Sequence, residues 1–327
     1  MALAAAALFA VALTACSGDP TTDPSGGNTD DAATTPAASP SDAASSPDPL
    51  PTGSLTPSEN LDAITVSDAD VPEITVPAPW AISSTQTKVL RDSSNAQVVG
   101  ANSTVTVNYV GVNGRTGAVF DSSFQRGKEA TFSMGGVIAG FKNGLTGQKV
   151  GSRVLIGMTG ADGYAQGNPQ AGIQAGDSLV FVVDIIAASY DEATGEAVTP
   201  AAGLPTVTMT EGKPEVTFPE GTNLLLADDV GPGKTIEADS TVSVKYRAWG
   251  AKSGKMILDG WRGAQSGKLS TLINGWKTGL LGQTAGSRVM LVVPSADSFP
   301  NGEPSKGLEA GEGLVYVIDI LDVKAAS

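Results

Sequence analysis

The chain reads as an α+β protein built from two similar, strand-rich domains. Three observations carry that reading. Val105, Val107 and Tyr109 alternate with Thr106 and Asn108, the period of two expected of a half-buried strand. Helix-like sequence is short: it opens at Val137-Ile138 behind Gly135-Gly136 and ends between Gly144 and Gly147. The pattern then recurs at an offset of about 135–140 residues, too long for a solenoid and right for tandem domains. Val242 to Tyr246 echoes Val105 to Tyr109, Leu272 to Trp276 echoes Val137 to Phe141, and Gly286-Ser287-Arg288 echoes Gly151-Ser152-Arg153.

Composition narrows the function classes. The 327 residues suffice for two domains and a tail. Net charge is −14 with 20 basic residues, against the clustered cations that phosphate binding needs. There is no His, which removes Ser-His-Asp and Cys-His catalysis and any His-ligated metal. No metal and no cofactor are expected. One Cys forbids an intramolecular disulfide.

Taken in order, residues 1–16 are apolar and end in Leu13-Thr14-Ala15-Cys16. They resemble a bacterial lipoprotein signal peptide with Cys16 as the acylated residue, although Lys and Arg are missing ahead of the apolar run. The expected location is extracytoplasmic, lipid-anchored to the outer face of a bacterial cell membrane. Residues 17–70 are rich in Ser, Thr, Pro, Asp and Gly and are expected to be a disordered tether. Residues 71–190 form the first domain, with early strands at 88–91 and 96–99 and apolar central strands at 153–158 and 178–186. A linker covers 191–203, and the second domain covers 204–325.

The stretch from Val105 to Phe141 carries a strand Tyr109, a Phe120-Asp121 pair, a strand Phe132, and the helix start Val137-Ile138-Ala139-Gly140-Phe141. Gly163-Tyr164, Ile173 and Asp177 to Phe181 follow at matching spacing. This ordered set resembles the FKBP-type peptidyl-prolyl cis-trans isomerases. The resemblance implies two tandem FKBP-like domains, each a twisted antiparallel β-sheet wrapped around one short α-helix. It implies a first-domain pocket of Tyr109, Phe120, Asp121, Phe132, Val137, Ile138, Phe141, Tyr164, Ile173 and Phe181. Phe141 would be the floor, where the family usually has Trp. The Ile138 backbone N–H and the Tyr164 hydroxyl would meet the substrate. Asp121 would interact with Tyr109 and with the rotating amide. The implied partners are Xaa-Pro segments of unfolded or secreted proteins and macrolide inhibitors of the rapamycin type. Singly, each aromatic is better explained as a core residue; the ordered set favours a site.

The second copy diverges. Aligned on its acid, its pocket would be Tyr246, Leu258, Asp259, Leu272, Ile273, Trp276, Phe299, Leu308 and Tyr316. Leu258 then replaces the Phe before the acid, Phe299 lacks the rim hydroxyl, and the strand Phe has no counterpart. Two readings stay open. One is an isomerase assisting the folding of secreted or cell-envelope proteins; the other is a non-catalytic chaperone or protein-binding module on the same fold, above all for the second domain.

Overall fold

The computed structural model describes residues 55–325, apart from 197, 199–203, 219–226 and 230. The expected signal peptide, Cys16 and most of the expected tether lie outside the described residues.

The first domain begins with a short hairpin, β1 (Thr65–Val66) and β2 (Ile74–Thr75). Then come β3 (Gln86–Arg91), β4 (Thr104–Asn113), β5 (Val119–Ser122), β6 (Ala130–Ser133), helix α1 (Ala139–Leu145), β7 (Arg153–Met158) and β8 (Leu179–Ala188). Strands β3 to β8 make one antiparallel sheet in the order β3-β7-β8-β4-β5, with β6 pairing β4 beyond β5.

Alternation sorts the strands onto two faces. Val105, Val107, Val154, Ile156, Phe181 and Val183 point to α1, and all are buried. Glycines let the helix lie close: a Cβ at Gly140 would come within 2.6 Å of Met158 Sδ, and one at Gly144 within 2.6 Å of Ile156 Cδ1. The opposite face carries Val110, Val112, Leu155, Val180 and Val182. These are covered by Leu61, Ile64, Val76, Trp80 and Ile82.

That cover corrects the boundary of the tether. Residues 55–70 belong to an ordered strap, with Leu61 4% and Ile64 7% exposed. The reason is the second apolar face, which water would otherwise reach. Arg153 ties the strap down. It forms a two-point ion pair with Asp184 at 2.6 and 2.8 Å and donates to the carbonyls of Ala69 at 2.7 Å and Asp70 at 3.0 Å.

The second domain repeats the plan. A hairpin of β9 (Thr206–Thr210) and β10 (Lys213–Thr217) precedes β11 (Ala227–Asp229), β12 (Thr241–Gly250), β13 (Met256–Asp259) and β14 (Gln265–Lys268). Helix α2 (Asn274–Leu280), β15 (Arg288–Val293) and β16 (Leu314–Lys324) complete it. Its sheet order is β11-β15-β16-β12-β13, with β14 pairing β12. Arg288 pairs with the fully buried Asp319 at 2.7 and 2.8 Å, as Arg153 does with Asp184.

The expected linker is partly built into the junction. The Tyr190 N–H donates to Leu321 O, and those of Thr194 and Gly195 to Gly286 O. The Asp191 carboxylate accepts from Asn102 N–H and Ser103 Oγ of the first domain. Its carbonyl accepts from Lys245 Nζ of the second at 2.8 Å. Among the described residues no helix is long and apolar enough to cross a membrane.

Candidate active site

A cavity of about 270 Å³ opens between α1, β4, β5, β6 and the loop after β7. Phe141 and Phe181 form its floor, 6% and 3% exposed, with ring centroids 4.6 Å apart and nearly perpendicular. Phe132 packs edge-on to Phe141 at 5.7 Å, and Phe120 edge-on to Phe181 at 5.5 Å. Val137, Ile138 and Tyr164 close the rim.

A β-bulge sets the wall. Gly111 pairs with Asp121 and Val112 with Val119, so Phe120 is the extra residue. The extra residue lets the consecutive Phe120 and Asp121 both line the cavity, where a regular strand would send one away. Gly111 is required opposite them: a Cβ there would meet Phe181 Cε1 at 2.7 Å and Phe120 Cζ at 2.9 Å.

The polar wall is a three-part cluster. Tyr109 Oη donates to Asp121 Oδ2 at 2.5 Å. Arg126 Nη1 pairs with Asp121 Oδ1, and Arg126 Nη2 donates to Tyr109 Oη at 2.9 Å. The Arg126 guanidinium also lies 5.5 Å from the Tyr109 ring centroid. Burial, and then the bond to Asp121, push the Tyr109 phenol above its ordinary value. The bonds to Tyr109 and Asp121 push the Arg126 guanidinium up. Phenol and guanidinium therefore both stay protonated at neutral pH. The Ile138 N–H, at the entry to α1, donates to no acceptor among the described residues.

Nine of the ten expected first-domain residues line this cavity. Ile173 does not: it is 2% exposed in the core, and its backbone pairs with Asn168 to close the rim loop. Arg126, Ala130 and Gly136 line or complete the site and were not anticipated. An arginine five residues after the acid, across a turn, was the available signal for Arg126.

The second domain corrects the alignment made on its acid. Arg247 pairs with Asp259 and Ala248 with Leu258, just as Val110 pairs with Ser122 and Gly111 with Asp121. Leu258 thus stands in the place of Asp121, and Ile257 in that of Phe120. Asp259 stands in the place of Ser122, on the opposite face, and pairs there with Arg247 at 3.0 Å. A one-residue difference in register moves a side chain across the sheet. Gly267, opposite Val242, replaces Phe132, opposite Val105. The segment from Asp259 to Leu272 is accordingly two residues shorter than that from Ser122 to Val137.

The remaining expected residues of the second domain pack together. Trp276 stands edge-on to Tyr246 at 5.1 Å and to Tyr316 at 5.4 Å, with Leu258, Leu272, Ile273, Phe299 and Leu308 around them. Burial, and then the neighbouring Tyr246, hold the Tyr316 phenol far above its ordinary range. Among the described residues the buried Tyr316 hydroxyl meets no hydrogen-bond partner. Among the described residues no group of three His, Cys, Asp or Glu is placed to hold a metal.

Two antiparallel sheets, each with one short helix packed over an aromatic cluster, define the class. The chain belongs to the FKBP-type peptidyl-prolyl cis-trans isomerases, whose family model matches residues 96–186 and 233–321. It is 40% identical over 87 residues to a probable FK506-binding protein of Corynebacterium glutamicum, covering 26% of this chain and 70% of that one. It is 39% identical over 93 residues to an FK506-binding protein of Streptomyces anulatus, covering 28% and 75%. It is 37% identical over 103 residues to the peptidyl-prolyl cis-trans isomerase Mip of Coxiella burnetii, covering 31% and 43%.

The reaction suits such a pocket. Rotation about an Xaa-Pro bond must break amide resonance, a barrier of about 18–20 kcal/mol. Turnover on the order of 100 per second needs a barrier near 15 kcal/mol, so the protein supplies only about 3–5 kcal/mol. No proton transfer is required. A twisted amide is less polar than a planar one, so a dry aromatic cavity favours it over the ground state.

Proposed function

We propose that the first domain carries the turnover and that the second is a holding site for polypeptide. The observation that carries this is the Tyr109–Asp121–Arg126 wall beside the Phe141–Phe181 floor, against Leu258 at the corresponding place in the second domain. In this reading Phe141 supports the proline ring, the Ile138 N–H and Tyr164 hydroxyl bind substrate carbonyls, and Asp121 faces the rotating amide. The second pocket keeps its aromatic rings and so retains affinity for apolar chain without fast isomerisation.

The clients are Xaa-Pro segments of secreted or cell-envelope proteins, and the first pocket also takes macrolides of the rapamycin type. The reading places the chain outside the cytoplasm, held to the membrane through lipid on Cys16. Leu13-Thr14-Ala15-Cys16 at the end of an apolar run supports this, and stable anchoring needs two or more acyl chains. The test of the division is turnover of an Xaa-Pro peptide by the full chain carrying Phe141→Ala or Trp276→Ala. Loss with the first and near-wild-type rate with the second support it; equal losses overturn it.

A further inference from the structure

The strap that covers the first sheet also reaches the rim of the pocket. Thr85, between Ile82 of the strap and the start of β3, donates its hydroxyl to Asp162 Oδ2 at 2.5 Å. The same hydroxyl oxygen accepts the Thr159 N–H at 3.2 Å. Asp162 in turn touches the floor-bearing helix: its carbonyl accepts the Gly140 N–H at 2.8 Å, one residue before Phe141. Its own N–H bonds to Thr159 O at 3.1 Å and Oγ1 at 3.3 Å. Two residues further on stands Tyr164, whose side chain lines the cavity.

The loop needs such a tie. Gly160, Gly163, Gly167, Gly172 and Gly176 punctuate it, and glycine-rich backbone loses more conformational freedom on ordering than any other. A rim that is ordered only part of the time lowers apparent affinity by the fraction that is competent.

We infer that Thr85 and Asp162 are positioning residues for the isomerase site. Thr85 anchors the Asp162 carboxylate to the strap, the Asp162 carbonyl holds the start of α1, and the pair sets the height of Tyr164 over the floor. The inference rests on the first-domain pocket being the site of turnover, with Tyr164 bound to substrate. It also gives the strap a role beyond covering an apolar face.

The test is a double-mutant cycle on the full chain, with kcat/KM on an Xaa-Pro peptide and a thermal midpoint for each variant. Thr85→Val removes the donor at nearly constant volume and should lower kcat/KM about three- to tenfold, the range of one hydrogen bond. Thr85→Ser keeps the hydroxyl and should stay within about twofold. Thr85→Ala replaces Thr85→Val if the latter does not fold. Because Thr85 acts through Tyr164, Thr85→Val in a Tyr164→Phe background should add little to the loss from Tyr164→Phe alone. A merely structural role would give the product of the two losses, and that outcome overturns the inference. So does wild-type kcat/KM in Thr85→Val. A wild-type chain without turnover, or a fully active Tyr164→Phe, overturns the pocket assignment itself and the inference with it.

Discussion

Asp121→Leu places in the first pocket the residue that the second carries at Leu258. The Tyr109–Asp121 bond is short and made to a charged group, a type worth about 1.5–3 kcal/mol. The Arg126 pair adds less than about 1 kcal/mol, because the Asp121 and Arg126 side chains are 37% and 48% exposed. Leucine recovers part of the loss by burying apolar surface beside Phe120. A net destabilisation of about 1–2 kcal/mol remains, or a fall of about 4–12 °C in the midpoint of a domain this size. Turnover should fall further than stability explains. Tyr109 loses the acceptor that orients it and, in the proposed assignment, the rotating amide loses a facing carboxylate. About tenfold in kcat/KM is expected, equivalent to about 1.4 kcal/mol. Asp121→Asn keeps an acceptor for Tyr109 and should lose less. The assay is protease-coupled turnover on a Xaa-Pro peptide at a temperature where both proteins are folded. Turnover of Asp121→Leu within twofold of wild type would refute the assignment of Asp121 and, with it, the reason for calling the second pocket inactive.

Other expectations follow from the same geometry. Trp276→Ala should leave peptide turnover within about twofold while weakening binding of an unfolded, proline-free chain, read by fluorescence anisotropy. Phe141→Trp should tighten macrolide binding or leave it unchanged; a tenfold loss, about 1.4 kcal/mol by titration, would mean that Phe141 is not the floor. Burial pushes the Asp259 carboxyl up, but Arg247 and the Trp261 N–H more than offset this and hold it below its ordinary 3.8. A folded-state value below the unfolded one adds stability above the unfolded value, lost as pH falls through the folded one. Asp259→Asn should therefore lower the midpoint at pH 7, and the difference should fade below about pH 4. Cys16→Ser should release the protein to the medium or leave it unprocessed; a cleaved variant still held by membranes would contradict lipid attachment at Cys16.

Much of this protein was legible in the sequence because strand faces obey a strict period. Val105, Val107 and Tyr109 share one face in both the pattern and the fold, and the repeat of Arg153 as Arg288 marks the same buried ion pair. The first pocket was legible too, since nine of the expected residues, from six segments of the chain, fall around one cavity. Tertiary structure alone decided three matters. The first part of the strap, 55–70, was hidden because its few buried apolar residues, Leu61 and Ile64, are scattered through polar sequence; only the second face of the sheet gives them a place to pack. The Thr85–Asp162 contact joins residues 77 positions apart, and no local pattern encodes such a pair. The position of Asp259 was misread because residue type suggested one register and strand pairing imposed another. Both domains bulge at the same place, after Gly111 and after Ala248, so nothing compensates the one-residue difference. With side chains alternating at each step, that difference turns an acid in the pocket into an acid on the opposite face of the sheet.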